Sequence, residues 1–340
     1  MVNNMKKIFI TGGSGYVGNV LVDRLLEQGF FVTSYDSGLY GFGKHEIIKN
    51  TNFNLIKGDL RNEYLLEKSV KGHEIVIHLA CISNDPSFEL KPEVSKSINF
   101  DIFEPLVKIS KKNLVNKFIY CSTGSVYGFS EAEQVTEEEM LVPMTQYNTY
   151  KAKCEPILLN YSDKNFITTI IRPATVCGYS PRMRFDLTVN ILTNHAYNNK
   201  IIKVFGGEQF RPNIHIIDMC RVYETLINSE DKKINEQIFN TGYKNYKIKD
   251  IAQKIAEIFK TDLNLKLEIQ TAHNDDKRSY RLNSEKFKKT LDFSFKYDID
   301  FAIRELIQSF KNNLFKKNTI KDLDYFNVEK MKFLLKNNEF

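Results

Sequence analysis

The stretch Thr11-Gly12-Gly13-Ser14-Gly15-Tyr16-Val17-Gly18 decides the fold class. A β-branched and aromatic run over residues 7–11 leads into it and reads as a buried strand. Val17, Leu21, Leu25 and Leu26 lie on one stripe of a helix over 17–28, closed by Gly29. Strand, glycine turn and helix in that order build an anion cradle. Gly12 permits the tight turn, Gly15 lets the backbone approach a pyrophosphate, Gly18 lets helix and strand pack closely, and the helix N-terminus faces the anion. A glycine-rich turn alone is as often a plain turn; here both flanks have the required type. Asp36 ends a second strand over 30–35, about 20 residues beyond the glycines, where a carboxylate accepts both ribose hydroxyls of a dinucleotide and repels a 2′-phosphate. The cofactor expected from these residues is NAD rather than NADP. Asp59, in Gly58-Asp59-Leu60 after a third strand, is placed either to reach the adenine amino group or to cap the next helix.

Working outward, strands over 53–57, 74–80, 117–122 and 168–173 alternate with helical segments such as 101–113. That rhythm predicts an α/β fold, a Rossmann-type doubly wound parallel sheet with helices on both faces. Beyond residue 178 the rhythm loosens: 186–199 and 247–260 read as helices, 200–205 and 265–270 as short strands. The expected organisation is a dinucleotide-binding domain over 5–178 with a return near 213–242, a smaller substrate domain over 179–212 and 243–310, and a tail over 311–340. The tail is rich in Lys and Asn with scattered apolar residues and reads as a peripheral helix pair or a frayed end, with no function assigned.

Composition narrows the function classes. The 340 residues are 42% hydrophobic, enough for a sizeable core, which excludes a disordered or collagen-like chain. No stretch approaches the ~18 unbroken apolar residues of a membrane span. With 48 basic and 42 acidic side chains the net charge is +6, spread along the chain, and no nucleic-acid-reading motif accompanies it. A small polyanion such as a nucleotide suits this balance. Five widely spaced cysteines, with no C-x-x-C pair, read as reduced thiols in a cytoplasm; no metal site is expected. Cys81 and Cys121 read as small buried fillers at strand ends.

Tyr147 has Lys151 four residues later, which on a helix places the two on one face a turn apart. A phenol of reference pKa near 10 becomes a usable base only if lowered by ~3 units, about 4 kcal/mol of differential charge stabilisation. A neighbouring ammonium and a positive nicotinamide ring are the means. Tyr150 has Lys153 and Cys154 at the corresponding spacings and lacks that partner. A lone Y-x-x-x-K is weak, but Ser122-Thr123-Gly124-Ser125-Val126-Tyr127-Gly128, a strand end bearing hydroxyls, stands some 20 residues upstream and strengthens it.

On these motifs, with His78-Leu79-Ala80, Asn99 and Arg172-Pro173 in fixed order, the chain resembles the extended short-chain dehydrogenase/reductase family in its nucleotide-sugar epimerase/dehydratase branch. The resemblance runs to about residue 310. It implies a Rossmann domain holding NAD through Gly12, Gly15, Tyr16, Val17, Gly18, Asp36, Asp59, Leu60, Leu79, Ala80, Asn99 and Lys151, and a second domain closing over a nucleotide-diphosphate sugar. It implies that Thr123 hydrogen-bonds the reacting hydroxyl, that Tyr147 takes its proton, and that Lys151 holds the nicotinamide ribose and depresses the Tyr147 pKa. The family commonly dimerises through a helix pair, which here includes 101–113 and 147–161. Arg211, in Gly206-Gly207-Glu208-Gln209-Phe210-Arg211, and Arg278, in Asp276-Lys277-Arg278, match arginines that meet the diphosphate; guanidinium forks suit its oxygens. The plainer alternative for each is a surface ion pair with Glu208 or Asp276. Arg182, in Arg182-Met183-Arg184-Phe185-Asp186, and Ser83-Asn84 are expected to line the substrate site. The 179–186 and 276–278 stretches also resemble a subgroup that oxidises GDP-heptoses at the 4-hydroxyl.

Departures from the family narrow the reaction. Its dehydratases carry a carboxylic acid two positions after the catalytic Thr; here that position is Ser125, a poor general acid. Asp85, which follows Asn84, is either another acid or the start of a turn. The leading expectation is an NAD-dependent 4-epimerase working through a 4-keto intermediate. The alternatives are a 4-dehydrogenase that releases the ketone, a non-catalytic dinucleotide-binding sensor or scaffold, and a reductase of small carbonyls. A base such as Tyr147 argues against the sensor, and Asp36 with the arginines against the reductase.

Overall fold

The computed structural model describes residues 5–273 and 278–337. Among them the strands are, in chain order, β1 (Lys7–Thr11), β2 (Phe31–Asp36), β3 (Phe53–Lys57), β4 (Ile75–His78), β5 (Lys117–Cys121) and β6 (Ile167–Pro173). They continue with β7 (Thr175–Cys177), β8 (Ile201–Phe205), β9 (Phe210–His215), β10 (Gln237–Thr241), β11 (Lys244–Lys247) and β12 (Glu268–Ala272). Seven form one parallel sheet in the order β3-β2-β1-β4-β5-β6-β10. This is the expected doubly wound α/β fold, with the strand order reversing between β1 and β4, where ligands of such sheets bind.

The strands close to the centre are continuous apolar runs because both faces are covered. Ile8, Ile10 and Ile77 pack with Leu21, Val22 and Leu25 of the helix Tyr16–Glu27 and with Met219, Val222 and Leu226 of the helix Ile216–Asn228. Phe9, Val76 and Phe118 face the other way, against Leu106 and Val107 of the helix Phe103–Lys112 and Leu158 of the helix Gln146–Leu159. Each such fully buried side chain contributes ~1.5–3 kcal/mol of transfer free energy. β4 is shorter than the expected 74–80 run. It ends at His78, and Leu79 and Ala80 turn over the end of β1, with Leu79 N donating to Thr11 O at 3.0 Å.

The remaining strands form a three-stranded sheet, β11-β9-β7, and a parallel pair, β12-β8. They enclose a separate core of Val189, Leu192, Ile251, Ile255, Phe259 and Ile303. Over the described residues 312–337 the segment after Lys311 is neither a helix pair nor frayed. It forms a 3-10 turn (Leu323–Tyr325), whose Tyr325 packs with Met183, Phe185 and Leu187, and one helix (Asn327–Lys336), whose first N–H donates to Asp186. Fully buried Phe185 is the reason: its ring meets Phe310, Phe315 and Tyr325 at 5.7, 5.1 and 5.3 Å, and its N–H donates to Tyr325 O at 2.9 Å.

Candidate active site

A cavity of about 690 Å³ opens at the carboxyl ends of β1, β2, β4 and β5 and runs under β7 and β9. Gly12, Gly15, Tyr16, Val17, Gly18, Asp36, Asp59, Leu60, Leu79 and Ala80 line one end of it. A Cβ on Gly12 would stand 2.6 Å from the Ala80 backbone, and one on Gly18 2.2 Å from Gly13 O. A Cβ on Gly15 meets only Gly12 O, at 3.1 Å, so the backbone is bare on the cavity side, as a pyrophosphate cradle requires. Asp36 accepts from Ser14 N (3.0 Å) and Gly38 N (2.9 Å), which fixes its carboxylate at the cavity edge. Burial pushes its carboxyl above the ordinary range, opposed by those two amides and by the charge of Arg182. These residues fit a dinucleotide.

Two residues expected at this end behave differently. Asp59 does not cap the next helix, which Asn62 does; its carboxylate is held by Arg61, whose Nε donates at 3.0 Å, and its pKa is depressed accordingly. Asn99 stands behind the cavity wall, where its amide accepts from Ile82 N (2.8 Å) and donates to Ile82 O (3.0 Å), holding the loop after β4 in place.

Thr123, Ser125, Tyr147 and Lys151 come together at the other end, on the turn after β5 and the helix Gln146–Leu159. Thr145 caps this helix by accepting from Asn148 N at 3.3 Å. A buried ion pair between Arg172 and Glu155 (2.6 Å), with Ser122 Oγ donating to Glu155 at 2.6 Å, clamps β5, β6 and the helix and so fixes the Thr123 turn. Ser125 Oγ donates to Asn148 Oδ1 at 2.6 Å. Its proton being committed there, the 2.8 Å contact between the two hydroxyls has Thr123 as donor to Ser125. The remaining lone-pair capacity of Thr123 is then available to accept from a substrate hydroxyl.

Tyr147 is not primed as the resemblance implies. Burial pushes its phenol well above the ordinary tyrosine range, Cys81, Cys121 and Asp85 add to the shift, and Arg184 opposes it. Lys151 Nζ instead donates to Cys121 O at 2.7 Å and lies 5.0 Å from the Tyr120 ring centroid. Cys81 and Cys121 are both half-buried and line the cavity; Cys121 also packs against the core, as expected of a filler, and Cys81 does not. Tyr150, by contrast, packs against Phe88 and Phe100 at 5.7 and 5.1 Å.

The third wall holds the substrate candidates. Ser83 Oγ accepts from Arg184 Nη1 (3.0 Å), and Asn84 Nδ2 donates to Asp186 (3.2 Å) while its Oδ1 caps the short helix Asp85–Glu89. Arg184 and Asp186 form a bidentate pair at 2.9 and 3.2 Å. Arg278 reaches across the cavity to Asp85, and Arg211 donates to the carbonyls of Phe210 (3.0 Å) and Arg278. Glu208 pairs with Lys247 and Lys249, not with Arg211; Asp276 and Lys277 lie outside the described residues. Arg182 lines the cavity, but its donors go to Tyr40 O (3.4 Å) and Asn327 Oδ1 (2.6 Å). Arg184 belongs to the basic stretch expected at the pocket wall, and Asn148, Asp186 and Asn327 are further site residues that the sequence did not single out.

The NAD dependent epimerase/dehydratase family model matches residues 8–242. The chain belongs to that family. It is 27% identical to the UDP-N-acetyl-alpha-D-glucosaminuronate decarboxylase of Bacillus cytotoxicus over 268 residues, 74% of this chain and 80% of that protein. To the UDP-glucose 4-epimerase of Corynebacterium glutamicum it is 25% identical over 303 residues, 84% of this chain and 89% of that one. The crystal structure of the UDP-glucose 4-epimerase of Thermotoga maritima with UDP-glucose superposes with a TM-score of 0.80 at 24% identity, over 91% of this chain and 100% of that one, a likeness of fold. About a tenth of this chain has no counterpart there. NAD is the cofactor of the family and of this chain, and the Gly12–Gly18 cradle with Asp36 is where it fits.

Proposed function

We propose that this enzyme is a nucleotide-sugar 4-epimerase that oxidises the 4-hydroxyl and restores it with inverted configuration. The observation that carries the reading is the Thr123–Ser125–Asn148 hydroxyl chain beside Tyr147, in which the position that must donate a proton for loss of water is a serine whose proton is already committed. NAD, when bound, supplies the hydride acceptor and a positive charge near the phenol. Thr123 accepts from a neighbouring hydroxyl of the sugar and so orients it, while Tyr147, whose phenol gives up its own proton to solvent once the charges of NAD and Lys151 stabilise the phenolate, takes the proton of the 4-hydroxyl and later returns it to the opposite epimer. Lys151, fixed on the Cys121 carbonyl, adds positive charge on the same helix face. Arg211 and Arg278 flank the region for the diphosphate. The 4-epimerase relative supports this reaction.

The test is product mass and stereochemistry. The enzyme, loaded with NAD, is incubated with a panel of UDP- and GDP-hexoses and hexuronates. A product of unchanged mass, inverted at C4, is expected. A product lighter by two hydrogens with NADH retained makes it a 4-dehydrogenase, one lighter by carbon dioxide from a uronate a decarboxylase, and one lighter by water overturns the argument from Ser125.

A further inference from the structure

The C-terminal helix ends a segment in which the sequence shows no motif, yet Asn327 at its first turn is 2% exposed and, with Val328, lines the cavity. Its side chain sits between two walls. Oδ1 accepts from Arg182 Nη2 at 2.6 Å, Nδ2 donates to Ser83 Oγ at 3.1 Å, and its backbone N–H donates to Asp186 at 3.2 Å. Arg182 in turn donates to Tyr40 O at 3.4 Å, and its guanidinium lies 5.0 Å from the Tyr40 ring centroid. Tyr40 belongs to the loop that leaves Asp36, and Ser37, Leu39, Tyr40 and Gly41 line the cofactor end of the same cavity. One buried amide therefore joins the loop beside the cofactor ribose site to the loop after β4.

We infer that the C-terminal helix is a strap on the cofactor cleft: Asn327, acting through Arg182, holds the 37–41 loop closed over the dinucleotide and sets how slowly it leaves. Asn327 is a positioning residue. The role deepens the 4-epimerase reading and rests on it, because an enzyme that returns the hydride to the same sugar must keep its cofactor through both half-reactions. Docking of the strap is built into the fold through Tyr325 and the Phe185 cluster, and Asn194 adds a buried grip by donating to Thr319 O at 3.1 Å.

The test is the dissociation rate of NADH from the full-length protein, followed by nicotinamide fluorescence after a chase with excess NAD. Losing a buried hydrogen bond to a charged group is expected to make release from Asn327→Ala at least about tenfold faster, with association within about twofold. Lys332→Ala, an exposed change on the same helix, is expected to match the wild type. Asn327→Asp keeps an acceptor for Arg182 and is expected to retain slow release, a rescue that a merely structural loss of packing would not give. Release from Asn327→Ala within about twofold of wild type, or equal acceleration in both Asn327 variants, overturns the strap. As a measurement independent of any variant, hydrogen exchange over 327–336 in the wild-type protein is expected to slow on NADH binding; unchanged exchange also overturns it. Neither measurement uses a sugar, so failure of the strap and failure of the epimerase reading are separable.

Discussion

Ser125 Oγ donates its proton to Asn148 Oδ1 at 2.6 Å, which makes Thr123 the donor of the next link and leaves the Thr123 oxygen facing the substrate as an acceptor. Asn148→Ala should free the Ser125 proton and let Thr123 reorient. We expect kcat to fall by about tenfold, the scale of one misplaced hydrogen bond, with NAD affinity unchanged and no water lost from the product. Steady-state kinetics, calorimetry and product mass read the three outcomes. An unaltered kcat would remove the hydroxyl chain from the mechanism.

Tyr147→Phe should bind NAD normally and lose at least about 100-fold in the chemical step, the ordinary scale for a positioned acid-base group. Tyr150→Phe should lose little, because its ring is a packing element between Phe88 and Phe100. Single-turnover rates in both variants decide the matter, and equal losses would exchange their roles.

Asp36 should favour NAD over NADP, since its half-buried carboxylate is fixed by Ser14 and Gly38 where a 2′-phosphate would lie. The charge of Arg182 lowers its pKa, and the Nε and Nη2 donors of that guanidinium are directed to Tyr40 and Asn327. Calorimetric titration with both cofactors measures the preference; tighter NADP binding contradicts the assignment.

Arg278 bridges the cavity to Asp85, so its guanidinium has both a protein partner and a place in the substrate wall. Arg278→Ala is expected to weaken UDP or GDP binding by about 2 kcal/mol while NAD affinity stays unchanged. If nucleotide-diphosphate affinity is unaltered in Arg278→Ala, the pair with Asp85 is a structural tie only.

Acid should destabilise the fold through its buried histidines. His78, hydrogen-bonded to Thr11 Oγ1 at 2.7 Å, is pushed down to about 3 by burial and by the charge of Lys151, and His45 to about 4 by burial and Lys44. An unfolded imidazole takes up a proton near pH ~6.5, and the folded one does not until far lower. The folded state therefore binds fewer protons, and its stability falls as pH drops below ~6.5, by about 2 kcal/mol per such group at pH ~5. Thermal melts of the wild type and His78→Gln near neutral and at mildly acid pH should show a smaller loss in the variant. Equal losses would mean that His78 is protonated in the folded state.

The doubly wound sheet was legible in the sequence because its determinants are local. Continuous apolar strands such as 7–11 and 117–121, the glycines that only a strand–turn–helix needs, and the Tyr147/Lys151 helical spacing each act within a few residues. Burial from both faces and the pitch of a helix are enough to read them. What the sequence could not decide is where long polar side chains direct their hydrogen bonds. Arg182 and Arg184 are two residues apart, yet one faces Tyr40 and Asn327 and the other Ser83 and Asp186, partners up to 145 positions away. Asn99, read as a cofactor ligand, is taken up by Ile82, and Asn327, in a tail without a motif, enters the cavity wall. Such choices depend on which donors and acceptors the packed elements bring within about 3 Å, and a buried amide or guanidinium takes whichever partner desolvation leaves it. The same holds for the state of Tyr147. The spacing to Lys151 comes from the helix, but burial among Cys81, Cys121 and Asp85 decides that its phenol starts protonated, and only the folded cavity creates that environment.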